Sequence, residues 1–231
     1  MIGDLELTAP DGVTKLRARQ GTGDAWVLGE VWERNTYRLC PEWFTDTGIF
    51  VDLGGNIGIA TRFALTQGAK RSVAYEAASD TFEFLRANTS GLPVVCHNRA
   101  VWGDRREVSL IKHKGNSHVA GIQVADCGPE VPGVQPVQTV TLADVFDDNK
   151  IAACDVLKMD IEHAEYSIFA SARADTVARA KRLVMEFHAA PHAPENQAQY
   201  EALLAALWRT HTVYKIEGDA ALGGLLWAIR K

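Results

Sequence analysis

Four residues in the second half of the chain, Asp160, His163, Glu186 and His188, carry side chains suited to moving a proton or holding a cation. Asp160 closes the apolar run DVLKMD, His163 follows three residues later in IEHAEYSIF, and Glu186 and His188 close RLVMEFH. Histidine ordinarily titrates near pH ~6.5, so it is the natural general base at neutral pH. Glu186 and His188 alternate, and on a strand they share one face, so the carboxylate is expected to orient the ring in the manner of base and orienter. Asp160, Glu162, Glu186 and His188 could instead hold Mg2+ or another divalent ion that acidifies a substrate hydroxyl, though no spacing enforces that set. The plainer alternative for His188 is a strand-end histidine bonded to solvent or backbone. Glu165 is expected to begin a helix, where the dipole favours an acid whatever the chemistry.

These groups need an element to bring a partner to them, and the stretch IFVDLGGNIG at 49–58 supplies one. Ile49 to Asp52 suit a short buried strand; Gly54, Gly55 and Asn56 then allow a tight turn, and Gly58 opens the apolar helix IGIATRFALTQ. Such a turn is expected to offer backbone N–H groups to an anion at a helix N-terminus. The dinucleotide pattern G-x-G-x-x-G fails because position 53 is Leu, and no Gly-Lys-Ser/Thr follows. Asp52 before the turn would repel a pyrophosphate but can accept from an ammonium. Glu76 ends the next apolar run, SVAYE, at about the distance at which an acid takes ribose hydroxyls in doubly wound folds. The two acids favour an adenosyl ligand without phosphates, such as S-adenosylmethionine; the plain alternative is a structural βα turn with an incidental acid.

The 231 residues suit one α/β domain with decorations, and 47% hydrophobic with 23% charged residues exclude a disordered or fibrous chain. A net charge of −5 argues against a nucleic-acid partner. The one basic neighbourhood, Arg99, Arg105, Arg106, Lys112 and Lys114, reads as a solvated hairpin. Cys40, Cys96, Cys127 and Cys154 form no C-x-x-C pair, which fits reduced thiols. The N-terminus has no basic segment leading into an apolar run, and no stretch approaches the ~18 apolar residues of a membrane span, so a soluble, cytoplasmic chain is expected, with homo-oligomerisation left open.

In chain order, residues 1–22 read as a β-hairpin around Pro10-Asp11-Gly12, and DAWVLGEVWERNTY as an amphipathic helix with Asp24 as N-cap, making 1–48 an N-terminal extension to a domain at 49–231. From Ile49, strand and helix alternate as in a doubly wound sheet. The stretch 100–141 changes character and is expected to form an inserted β-hairpin followed by a Pro/Gly-rich loop, a candidate lid. TLADVFDD is a short helix capped by Thr141, ENQAQYEALLAALWRT a longer one, and HTVYKIEG with GGLLWAIRK an antiparallel hairpin at the sheet edge. Trp26 and Trp32 are assigned to core packing rather than to a substrate wall, and His113, His118, His192 and His211 to structural or exposed positions.

The blocks VDLGGNIG (51–58), YEA (75–77), HNRAVWGD (97–104), LKMDIEHAEY (157–166) and MEFH (185–188) resemble the FkbM family of S-adenosylmethionine-dependent methyltransferases. The resemblance spans about residues 30–190. It implies a class I methyltransferase fold, Rossmann-like, with a seven-stranded sheet whose last strand is antiparallel, and O-methylation of a small-molecule acceptor such as a sugar, polyketide or peptide natural product. It further implies that Asp52, Gly54, Gly55, Asn56 and Gly58 hold the methionine end of the cofactor, Glu76 and Ala77 the ribose, Asn98, Ala100 and Val101 the adenine, and that Asp160 stands near the sulfonium. Two positions depart from the family pattern: Gly55 stands where Ala is usual, and His163 where Gly is usual. If that glycine has positive φ, histidine is among the better-tolerated replacements and sets an imidazole beside the reacting centre. The rival readings are a non-catalytic S-adenosylmethionine-binding protein and an RNA methyltransferase; the acidic charge weighs against the second.

Overall fold

The computed structural model describes residues 3–111, 134–188, 196–219 and 223–231. The N-terminal alternation makes the expected ribbon: β1 (Asp4–Thr8) pairs antiparallel with β2 (Lys15–Arg19). The following segment departs from the expected single helix. Only α1 (Asp24–Leu28) is α-helical; at Gly29–Glu33 the chain widens into a π turn closed by Arg34 N–H to Gly29 O at 3.1 Å. Nor does Asp24 cap the helix: Gly23 holds that position, and the Asp24 carboxylate accepts from Arg19 N at 2.8 Å and Nη2 at 2.6 Å.

The repeating units follow as β3 (Ile49–Leu53), α2 (Ile59–Thr66), β4 (Arg71–Tyr75), α3 (Ser79–Asn88), β5 (Val94–His97), then β6 (Ala100–Val101), β7 (Glu107–Ile111), β8 (Val134–Val140), α4 (Leu142–Asp148), β9 (Cys154–Met159), α5 (Ala164–Ser171), α6 (Ala174–Val177), β10 (Ala180–Phe187), α7 (Asn196–Trp208), β11 (His211–Asp219) and β12 (Gly223–Arg230). Seven strands form one sheet in the order β11-β12-β10-β9-β3-β4-β5. Strands β10, β9, β3, β4 and β5 run parallel, and β12 inserts antiparallel between β10 and β11. This is the doubly wound sheet with an antiparallel last strand that the sequence leads one to expect.

Strand alternation sends apolar side chains to both faces. On one face Val51, Leu53, Leu157, Met159 and Met185 pack with Val145, Phe146, Ile168, Phe169 and Leu207 from the helices of the second half. On the other, Phe50, Val156, Val184 and Trp227 pack with Phe63 and Phe84 and with Leu16, Ala18, Leu28, Val31 and Tyr37. The N-terminal segment is thus part of a core layer. Trp32 packs against Phe63 at a 5.2 Å centroid distance, as expected of core packing, whereas Trp26 is 53% exposed.

In the 100–141 stretch the order is β6-β8-β7, with β7 antiparallel and β6 parallel to β8. Of the stretches on which the expected hairpin and loop rested, HVAGIQV and CGPEVPG lie outside the described residues, while most of AVWGDRREVSLIKH is described as β6 and β7. Strand β8 replaces the end of the expected loop, and its proline at 136 hid it, because proline usually argues against a paired strand. Among the described residues no helix is long and apolar enough to cross a membrane.

Candidate active site at the carboxyl edge of the sheet

The glycine turn leaves β3 and is fastened from two sides. Gly54 and Gly55 N–H both donate to Tyr75 O, at 3.0 and 2.8 Å; Asn56 N–H donates to Glu76 Oε2 at 2.9 Å and Gly58 N–H to Gly55 O at 2.8 Å. These four N–H groups therefore hold the turn together and are not themselves open to an anion. Gly54 has φ +80°, and a Cβ there would lie 1.7 Å from Asp160 O, so the turn lies directly against the end of β9. Asn56 takes the left-handed geometry its residue type tolerates, with φ 48°. Its Oδ1 accepts from Arg19 Nη2 at 2.8 Å, which ties the N-terminal ribbon to the turn.

The two acids expected to anchor a cofactor have different surroundings. Glu76 is buried, and its oxygens accept from Asn56 N and Ala78 N at 2.9 Å each. Burial pushes its proton affinity up, while those two N–H groups and Arg19 oppose the shift. A carboxylate fixed this way keeps a second lone-pair site on each oxygen and so suits a vicinal diol. Asp52 is fully buried: Oδ2 accepts from Thr61 Oγ1 at 2.6 Å, and Oδ1 faces Lys158 Nζ at 3.2 Å as an ion pair without a directed hydrogen bond. Sequence reading did not supply this cation, although Asp52 and Lys158 are paired across β3 and β9. Asp52 is thus engaged inside the protein instead of standing open to a ligand ammonium.

The expected proton-handling residues do converge, around His188 at the tip of β10. Its Nδ1 lies 2.6 Å from Glu165 Oε1, and its Nε2 lies 3.4 Å from Glu162, 3.8 Å from Glu186 and 3.9 Å from Asp160 carboxylate oxygens. The orienting acid is therefore Glu165, from the first turn of α5, and not Glu186. Glu165 is fully buried, and its Oε2 has no hydrogen-bond partner among the described residues, so its placement is more than a preference for the helix dipole. Burial pulls the His188 proton affinity down, but the Glu165 hydrogen bond and the charges of Glu165, Glu162 and Asp160 outweigh it and push the pKa up to about 10. Burial, together with neighbouring acids, pushes Glu162 and Glu186 each up to about 7. His163 has φ 76°, the positive value that glycine would take, and its ring centroid stands 5.5 Å from that of His188. Burial and the His188 charge lower its pKa. Asp160 also accepts from Tyr37 Oη at 3.1 Å and faces Lys158 at 3.6 Å. Asp160, Glu186 and His188 each present a ligand atom within 4.8 Å of the others, a set able to hold a metal ion.

The remaining expected residues stand beside β5. Asn98 Nδ2 donates to Glu76 O at 2.8 Å and Ala77 O at 3.0 Å, stapling the segment after β4, while Ala100 and Val101 are buried in β6. His211 is buried with Nε2 2.9 Å from Ala180 O, a structural histidine as expected; His113, His118 and His192 lie outside the described residues. Arg105 pairs with Asp144 and Arg106 with Asp104, so these two arginines of the basic neighbourhood are neutralised locally, and Lys112 and Lys114 lie outside the described residues. Sequence reading missed the roles of Lys158, Tyr37, Glu165 and Arg19 toward Asp52, Asp160, His188 and Asn56, each remote in the chain.

Four neighbouring strand tips thus carry, in spatial order, His188, Asp160, the glycine turn and Glu76. That sheet and edge define the class I methyltransferase architecture. The methyltransferase FkbM domain matches residues 52–216, and the chain belongs to that family of methyltransferases. Comparison with curated proteins gives no match. Among solved structures, Trm5b from Pyrococcus abyssi is similar over 99% of this chain and 56% of its own, at 10% identity and a TM-score of 0.52. A SAM-dependent methyltransferase from Agrobacterium tumefaciens is similar over 100% of this chain and 71% of its own, at 9% identity and TM-score 0.48. Ribosomal protein L11 methylase from Lactobacillus delbrueckii subsp. bulgaricus is similar over 86% and 78%, at 11% identity and TM-score 0.46. At such identities the likeness is one of fold.

Proposed function

We propose that the chain transfers a methyl group to a hydroxyl oxygen of a small molecule, of the sugar, polyketide or peptide natural-product kind. The observation that carries this reading is the row of strand tips, with a diol-suited carboxylate on one side of the glycine turn and a proton-accepting cluster on the other. The residues fit an adenosyl cofactor: Glu76 is fixed by two N–H groups with lone pairs left for ribose hydroxyls. S-adenosylmethionine, when bound, supplies an electrophilic methyl on sulfur. The chain's part is to align the acceptor oxygen and take its proton.

Among the cluster residues, Glu186 is best placed for that proton. Its side chain is 43% exposed, and with a pKa of about 7 it is a base near neutral pH. His188, held protonated by the surrounding carboxylates, serves as the cation that keeps Asp160, Glu162 and Glu186 together, so the neutral-imidazole role expected from sequence passes to a carboxylate. A second reading has a divalent ion on Asp160, Glu186 and His188, and the mutual approach of their ligand atoms favours it.

Glu186→Gln should lower turnover by about 10²–10⁴-fold with cofactor affinity nearly intact, and wild-type turnover should fall as pH drops below about 7, where Glu186 gains its proton. Assays with EDTA separate the readings: full activity in the chelator supports the carboxylate base, and loss restored by Mg2+ supports the metal. A Glu186→Gln variant as active as wild type in EDTA would contradict both.

A further inference from the structure

We infer that Lys158 is a positioning residue that ties the cofactor turn to the reacting centre through one buried ammonium; the inference rests on the methyltransferase reading of this edge. Its side chain is 3% exposed, on the strand next to β3 and opposite Asp52 in the register. Nζ donates to Gly54 O at 2.7 Å, faces Asp52 Oδ1 at 3.2 Å and Asp160 Oδ2 at 3.6 Å, and sits 5.4 Å from the Tyr37 ring centroid. Tyr37 Oη in turn donates to Asp160 Oδ2, and Thr61 of α2 donates to Asp52 Oδ2. One cation therefore meets the acid before the turn, the first carbonyl inside the turn and the acid at the tip of β9.

Each contact has a consequence for the reaction. Asp52 and Asp160 are two carboxylates that share one ammonium, at 3.2 and 3.6 Å, and without it the buried Asp52 would lose the cation that faces it. The bond to Gly54 O sets the turn where its backbone touches Asp160 O, the approach that excludes a Cβ at position 54. Lys158 also occupies the open side of Asp52. Asp52 thus acts on the site through Lys158, holding the turn, and does not itself receive the cofactor's amino group.

The test uses the full chain with Lys158→Met, Lys158→Arg and the double variant Asp52→Asn/Lys158→Met, in which the charge lost on one side is removed on the other. Lys158→Met is expected to weaken S-adenosylmethionine binding by about tenfold or more and to lower turnover at saturating cofactor. The double variant should recover thermal stability but not turnover, because Gly54 and Asp160 still lack their tie; it also serves should Lys158→Met fail to fold. Lys158→Arg, keeping the charge with a different reach, should retain binding better than turnover. Amide hydrogen exchange at residues 54–58 reads the tie without any ligand and is expected to quicken in the double variant relative to wild type. Unchanged exchange there would overturn the inference even if the chain bound no cofactor, an outcome that would by itself sink the methyltransferase reading. Full recovery of turnover in the double variant would reduce Lys158 to charge balance and overturn the inference as well.

Discussion

At the scale of single residues, the site is governed by which carboxylate each cation meets. Glu165 is the sharpest case: buried, 2.6 Å from His188 Nδ1, and the main support for the imidazolium. Glu165→Gln keeps the shape and removes the charge, so the His188 pKa should fall from about 10 toward the ordinary ~6.5. Proton titration of the ring followed by NMR reads this directly, and an unmoved His188 would remove Glu165 from its role. In sequence Glu165 is indistinguishable from an acid placed to suit a helix dipole. Only the packing of α5 beside the tip of β10 brings it to a residue 23 positions away. His163, by contrast, was legible through the family resemblance: the condition that its place, usually glycine, has positive φ is met at 76°. Lys158 lay in plain view inside LKMD, but its pairing with Asp52 depends on strand order and register, which single-strand patterns do not encode.

At the scale of elements, the glycine turn separates what geometry forbids from what it tolerates. Gly54→Ala would drive a Cβ into the Asp160 backbone and should abolish cofactor binding. Gly55→Ala first meets side-chain atoms, Leu85 Cδ2 at 3.2 Å and Ala74 Cβ at 3.4 Å, with no left-handed φ, and should stay within about 1 kcal/mol of wild type in stability. Calorimetry on both variants checks the contrast, and equal behaviour would contradict the described turn. Helix α4 was readable from its cap alone: Thr141 accepts from Asp144 N at 3.2 Å, and Asp144 reciprocates by accepting from Thr141 N at 2.8 Å. Thr141→Ala is expected to cost about 1 kcal/mol in denaturant unfolding, and no change would mean that the cap bears no stability. The π turn after α1 and strand β8 escaped the reading for local reasons. Trp26, Val27, Val31 and Trp32 keep helical spacing across the π turn, and a proline at 136 argues against the strand that forms there.

At the scale of the whole molecule, the order of the strands does what no single motif can. The alternation of strands and helices from Ile49 onward made the doubly wound sheet and its antiparallel last strand legible, because period and turn chemistry survive in sequence. Of the N-terminal segment's share in the core only the packing of Trp32 was legible, since Leu16, Ala18 and Tyr37 gain their partners only when they lie on the sheet face with Phe50 and Trp227. The assembled edge places Glu76 two strand positions from Asp160 with the turn between them, and that spacing is the central claim for function. It is tested most directly by calorimetric titration of wild type and Glu76→Ala with S-adenosylmethionine, S-adenosylhomocysteine and NAD. The adenosyl sulfur compounds should bind the wild type in preference to NAD, and Glu76→Ala, losing bonds worth about 1.5–3 kcal/mol each, should bind them at least roughly tenfold more weakly while remaining folded. A preference for NAD, or unchanged affinity in folded Glu76→Ala, would contradict the account.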